Sequence, residues 1–265
     1  MKPADIFGIL EREVAPVALS DELCAKYGAY DNSGIILDCG NEVTGAIFCL
    51  DLTGSAVEAA QKAGYNLIVT HHPAIFRGIK SVSVQPESPT AALAKCALLG
   101  ISVISMHLNF DAAPCGIDYY LAEGLGCGIA LAFFNPLPDN CGYGRVGLGK
   151  VRRFEELRAQ TEKVFGSPNF RYYPCHGPVK RIASFCGAGC DDDTVEFAIR
   201  HGADVFVSAE IKHHHLVRLR SLGMGVIDMT HYGCEIYGFG RIYGEIKAKL
   251  GIPSELFVQR ELFCA

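Results

Sequence analysis

Three places in the chain set histidine directly after a run of apolar residues. NLIVT (66–70) leads into His71 and His72. ISVISM (101–106) leads into His107, with Asp111 four residues later in HLNFD. GVIDMT (225–230) leads into His231, with Glu235 four residues later in HYGCE. Such runs read as buried strands, so each imidazole is expected at the end of a strand. Open α/β sheets build their sites just beyond the carboxyl ends of strands. Neutral imidazole together with carboxylate suits Zn, Mn, Fe, Co or Ni. No CxxC pair occurs, which argues against a structural zinc site. Two ions about 3.5–4 Å apart need bridging oxygens, and carboxylates supply them. In extended backbone His71 and His72 would face opposite ways. A turn at Pro73, or one imidazole on each of two ions, reconciles them. Taken singly, each residue has a plainer reading. A histidine after a strand is often a hydrogen-bonded cap, Asp111 in NFDAAP could be a turn or helix-capping residue, and Glu235 could be a solvated carboxylate. Their joint occurrence at strand ends is what favours ligation.

The elements that must hold these residues follow from the pattern around them. IILDCG, GAIFCLDL, NLIVT and ISVISMH are strand-like, while SAVEAAQKAG and TAALAKCALLG are helical with a Gly stop. This βαβαβ order predicts a sheet covered by helices. From about Ala130 to Lys180 the chain is rich in Pro, Gly and Asn, with one helical stretch near RRFEELRAQTEKVF. The pattern resumes at RIASFCGAG. The resumption is close to a copy. Val57, Glu58, Ala60, Gly64 and Val69 recur as Val195, Glu196, Ala198, Gly202 and Val207, and LGISVISM (99–106) lies beside LGMGVIDM (222–229). Any two amphipathic βαβ units share some letters, but two matches in the same order favour an internal duplication. The expected architecture is α/β, with duplicated halves related by a pseudo-two-fold axis and the metal site between them. The segments expected are residues 1–130, a short connection 131–180, and 181–265. In this alignment Glu210 falls at the strand end equivalent to His72.

Other features carry less chemistry. His213, His214 and His215 open an expected helix, and three consecutive residues on a helix point about 100° apart, so they cannot share one ion. GYGRVG (142–147) satisfies GxGxxG formally but lacks the strand before and the helix after it that a dinucleotide fingerprint needs. Asp191, Asp192 and Asp193 after GAGC would repel phosphate, and helix capping explains them better. Ser33 in DNSG has no nearby base to make it a nucleophile.

Composition narrows the class. The net charge of −5 leaves no basic surplus for nonspecific nucleic-acid binding. No apolar run reaches the roughly 18 residues of a membrane span. The N-terminal MKPADIFGILEREVAP reads as an amphipathic helix rather than an export signal. The twelve cysteines then read as reduced thiols in a cytoplasm.

YDNSGIIL, VTHHPAIF, HLNFDAAPCGIDYYLAEGLG, GAGCDDD, DVFVSAEIKHH and DMTHYGCE occur in this order, and together they resemble the NIF3-like family, also labelled GTP cyclohydrolase I type 2 homologues. The resemblance implies that His71, His72, Asp111, His231 and Glu235 are ligands of two divalent ions, with Glu235 or Asp111 bridging, and that His107 is the active-site histidine. It implies a ring-shaped homohexamer without a full inserted domain, and hydrolysis of a purine nucleotide or another small molecule. The competing readings are a non-enzymatic metal-binding or scaffold protein and, with least support, a nucleic-acid binder. One departure concerns Ser208-Ala209-Glu210, where members often have TGE: the acid is kept and the glycine is lost.

Overall fold

The computed structural model describes residues 1–127, 129–166 and 169–262. The chain divides into two compact units, one comprising Met1–Phe110 with Phe239–Arg260, the other comprising Asp111–Gly238 together with Glu261 and Leu262. These cuts do not coincide with the segments 1–130, 131–180 and 181–265 read from the pattern of helices and strands.

In the first unit, α1 (Pro3–Glu13) and α2 (Ala18–Tyr27) precede β1 (Gly34–Leu37), β2 (Ala46–Cys49), α3 (Gly54–Ala63), β3 (Leu67–Thr70), α4 (Ala91–Leu99) and β4 (Ser102–Ser105). The strands lie in the order β1-β4-β3-β2, and a late strand (Ser254–Leu256) closes the row beside β2. β2, β3 and β4 are parallel, whereas β1 runs antiparallel to β4. Every residue of β2, β3 and β4 is buried. That explains why these strands read as continuous apolar runs rather than alternating ones, since a central parallel strand is covered on both faces. Thr53 caps α3 by accepting the Ala56 N–H at 3.2 Å, and Val57 and Ala60 on that helix pack with Ile47, Ile68 and Val103 of the sheet.

The second unit holds α5 (Leu108–Ala112) from Asp111 onward, α6 (Ile117–Gly124), β5 (Ile129–Pro136), β6 (Gly142–Arg152), α7 (Phe154–Phe165), β7 (Arg171–Tyr173), β8 (Val179–Ser184), α8 (Asp192–Arg200), β9 (Val205–Ala209), α9 (His213–Ser221), β10 (Gly225–Met229) and the start of α10 (His231–Ile246). The strand order is β5-β6-β8-β9-β10-β7, with β8, β9 and β10 parallel. The order β8-α8-β9-α9-β10 repeats β2-α3-β3-α4-β4, element for element where the two stretches of sequence match. This is a mixed α/β protein with two sheets.

The Gly- and Pro-rich connection is more ordered than its composition predicts. β5 and β6 form a hairpin in the second sheet. Its turn places both Asp139 (φ 56°) and Asn140 (φ 60°) in the left-handed region, as a tight hairpin requires. The glycines of β6 serve close packing. A Cβ at Gly144 would overlap the Phe185 ring, and one at Gly147 would lie 2.5 Å from Cys127 Cβ. Strand glycines often mark such approaches, yet they weaken the strand signal.

A buried ion pair ties β6 to α6. Arg145 Nε donates to Asp118 Oδ2 at 2.7 Å, with the side chains 5% and 0% exposed. Burial holds the Asp118 carboxyl above its ordinary value, although Arg145 pulls the other way. Removing one partner strands the other charge in the core. Asp118→Ala should therefore lower unfolding free energy by about 3–5 kcal/mol, read as a lower urea midpoint with an unchanged slope.

Candidate metal centre

In the first unit the ladder between β2 and β3 continues past the strand ends. His71 N–H donates to Cys49 O at 3.1 Å and His72 N–H to Leu50 O at 2.9 Å. Thr70 Oγ1 then donates to His72 O at 2.8 Å. The chain bends there, and the two imidazoles lie 4.8 Å apart, ring centre to ring centre. This resolves the conflict that extended backbone would create. His107, just beyond β4, has its N–H held by Ser33 Oγ at 2.9 Å and its ring 5.1 Å from His71 and 5.8 Å from His72. His71, His72 and His107 can each offer a ligand atom, all within 4.8 Å of one another, and form a group that could hold a metal ion.

The second ring nitrogens give the test of fit. His71 Nδ1 meets Met106 O at 2.9 Å, His72 Nδ1 meets Asp51 Oδ1 at 2.8 Å, and His107 Nδ1 meets Asp31 Oδ1 at 2.8 Å. A carbonyl or an ionised carboxylate only accepts, so each Nδ1 must carry the hydrogen. The neutral ring then keeps its lone pair on Nε2. This is the outer-shell arrangement that orients metal-ligating histidines, so the residues fit a metal ion. Burial pushes the Asp31 carboxyl up, but hydrogen bonds from His107 and Ser33 outweigh it and hold the group at about 2. Asp31 is thus an ionised acceptor at neutral pH. Ser33 Oγ donates to Asp31 Oδ2 at 2.6 Å, which makes it a brace rather than a nucleophile.

The second unit has a cluster of its own. His231 opens α10, and Glu235 follows one turn later. His231 Nδ1 meets Glu210 Oε1 at 3.0 Å, while His231 Nε2 lies 3.3 Å from Glu235 Oε1. With the hydrogen on Nδ1, two lone-pair atoms face each other across that gap, and the pair calls for a positive charge, a proton or a metal ion. Glu210 adopts φ 54°, a left-handed backbone despite having a side chain. It meets His231 from the position where the repeat aligns it with His72. Gly187 has φ 61°, and a Cβ there would lie 2.7 Å from Glu235 Oε1. Glycine is therefore required for both backbone and space. The neighbouring Cys186 places its Sγ 3.4 Å from Asp111 Oδ1, and Asp111 is buried.

The features set aside on sequence grounds fall elsewhere. GYGRVG lies inside β6. Asp191 caps α8 by accepting the Thr194 N–H at 2.8 Å. His213 and His214 are exposed and His215 is buried; among the described residues, none of the three belongs to a group that could hold a metal. Asp31, Asp51 and Gly187 were missed by sequence reasoning. Asp51 did have a signal, since it lies just past the end of β2 in the GAIFCLDL run, as His71 lies just past NLIVT. Asp31 lies beside the inspected Ser33, but nothing local points it toward His107.

The two-sheet α/β architecture, with imidazole and carboxylate clusters beyond parallel strands, defines a class of candidate metalloproteins. Residues 4–259 match the Duf34/NIF3 (NGG1p interacting factor 3) family, and the chain belongs to it. The GTP cyclohydrolase 1 type 2 homolog of Clostridium perfringens is 26% identical, with 98% of this chain and 97% of that protein aligned. NGG1-interacting factor 3 of Saccharomyces cerevisiae is 28% identical over 78% of this chain and 79% of its own length. Among solved structures, the Staphylococcus aureus hypothetical protein SA1388 superposes with a TM-score of 0.82 at 25% identity, covering 97% of this chain and 96% of that one.

Two variants test the outer support. Asp51→Ala should weaken divalent-metal binding about 10–100-fold with little change in stability, because the Asp51 side chain is 36% exposed. Gly187→Ala should also weaken binding, by displacing Glu235. Calorimetric titration of chelator-stripped protein with Zn or Mn measures both.

Proposed function

We propose that this chain is a dinuclear metal-dependent hydrolase acting on a purine nucleotide. The observation that carries this reading is the trio His71, His72 and His107, with Nδ1 of each ring tied to an oxygen acceptor: two rings that would ligate, and His107 within 4.8 Å of them to carry a proton. The proposed ligands are His71, His72, Asp111, His231 and Glu235, with Glu235 or Asp111 bridging. When bound, divalent ions lower the pKa of water toward neutrality and polarise the carbon under attack. His71 and His72 present Nε2 donors on a backbone clamped by strand hydrogen bonds. His107 handles the proton. Its Nδ1–H stays on ionised Asp31, which holds the ring in place and leaves Nε2 to accept a proton and return it.

The names of two relatives, GTP cyclohydrolase 1 type 2 homolog and, in Helicobacter pylori, GTP cyclohydrolase 1 type 2, support a purine nucleotide as substrate and ring opening as the reaction. The reading includes a ring-shaped homohexamer, to be read by native mass spectrometry. It also includes a cytoplasmic setting, supported by thiols that are all free among the described residues. Among those residues no helix is long and apolar enough to cross a membrane. The yeast relative's name, NGG1-interacting factor 3, favours a second reading, a metal-binding scaffold that works by contact with a partner.

Metal content per chain, on untagged protein purified without chelator, tests the first step. About two divalent ions in the wild type and a sharp fall in Glu235→Ala are expected. No metal bound, and none taken up on addition, would sink the hydrolase. With metal present, GTP turnover that disappears in Asp111→Ala while folding is intact supports the enzyme. Absent turnover, and partner binding indifferent to that change, support the scaffold.

A further inference from the structure

Beside the histidine trio, in the same unit, lies a small aromatic cluster that the metal chemistry does not use. Phe76 and Tyr30 meet edge to face, with ring centres 5.1 Å apart. Phe76 in turn stands edge-on to His107 at 6.2 Å. The Arg77 guanidinium lies 5.2 Å from the Tyr30 ring centre and 6.0 Å from that of Phe76. An aromatic pair that only anchored its loop would be sunk in the core. Instead Tyr30 is 48% exposed and Phe76 42% exposed. Their ring surface is open to water beside His107, where the π-face of a ligand ring can reach it.

The cluster is also held in place. Asn32 Nδ2 donates to Ile75 O at 2.6 Å, which fixes the backbone just before Phe76. The same short segment supplies Tyr30 to the aromatic pair, Asp31 to His107 Nδ1 and Ser33 to the His107 N–H. One stretch of four residues thus sets both the orientation of His107 and the position of the rings. Arg77 adds charge. Among the described residues no carboxylate pairs with it, and its partners are the two ring faces. A guanidinium laid over aromatic rings keeps its fork of N–H donors for an anion.

We propose that Tyr30, Phe76 and Arg77 form the recognition platform for a planar heteroaromatic ring carrying an anionic group. The ring stacks on the exposed face of Phe76, and Arg77 takes the phosphate or carboxylate. The proposal deepens the nucleotide-hydrolase reading and rests on it for the ligand's position beside His107. These residues set specificity. They do not touch the reacting atoms.

Calorimetry on the full metal-loaded chain tests it with four probes: GTP, guanosine, flavin mononucleotide and ribose 5-phosphate. Loss of one stacking contact commonly weakens binding about 10-fold or more. Phe76→Ala and Phe76→Leu should both weaken GTP and guanosine by about that factor, whereas Phe76→Tyr restores binding, because a ring face rather than apolar bulk is what counts. Arg77→Ala should weaken GTP and leave guanosine unchanged. Metal content of each variant separates lost recognition from a disturbed metal centre; if Phe76→Ala also loses metal, the GTP-to-guanosine split in Arg77→Ala decides. GTP bound equally by the wild type, Phe76→Ala and Arg77→Ala would overturn the platform and leave the nucleotide reading standing. Flavin mononucleotide bound with this variant pattern while GTP fails to bind would keep the platform and remove the purine reading. No binding of any ring-bearing probe, or ribose 5-phosphate bound as tightly as GTP, would overturn the inference.

Discussion

The imidazoles proposed for this chemistry depend on hydrogen bonds made on their far side. An imidazole can ligate only through a nitrogen that has lost its hydrogen. In His71, His72, His107 and His231 the Nδ1 position is taken by an acceptor: Met106 O, Asp51, Asp31 and Glu210 respectively. The tautomer is therefore set before any ion arrives, and the rings need not rotate to meet one. Three of the four acceptors are carboxylates, the partners that commonly orient metal-ligating imidazoles. Without them the same histidines would sample both tautomers and several orientations.

That arrangement rests on backbone geometry. β3 and β4 are central parallel strands, buried throughout, so their ends are fixed by the whole sheet. The bend after Thr70 turns two neighbouring residues, which in a regular strand would point apart, toward one side. In the second unit the work falls to residues in left-handed backbone. Gly187 leaves room for the Glu235 carboxylate, and Glu210 meets His231 from a conformation that side chains seldom adopt. Strain tolerated at such positions is common where a side chain must be aimed. Against the TGE pattern of the resemblance, Glu210 keeps the acid and Ala209 stands in place of the glycine before it. The departure to Ala209 is accommodated, since Ala209 is an ordinary buried residue of β9.

Histidine after an apolar run was a readable signal because it is local. The run, its end and the candidate ligand lie within ten residues, and the βαβ periodicity that makes the run a strand lies within about thirty. Hence β2, β3, β4, β8, β9 and β10 were legible, and His71, His72, His107, His231 and Glu235 could be named as candidates. The β5–β6 hairpin was not. Its glycines look like loop residues until Phe185 and Cys127 are seen to occupy the space their side chains would need. The division of the chain was also hidden, because Phe239–Arg260 joins the N-terminal residues by packing and not by any linker-like composition.

By itself, then, the sequence determined the class of fold, the residue types offered for metal chemistry and the strand ends that carry them. All of these follow from patterns of short range. Tertiary structure alone decided which oxygen holds each imidazole. Asp51 reaches His72 across 21 residues and Asp31 reaches His107 across 76. A hydrogen bond between distant segments leaves no periodicity in either one. Its existence depends on the register of β2 beside β3 and on how the segment before β1 lies against the end of β4, and only the folded sheet sets those.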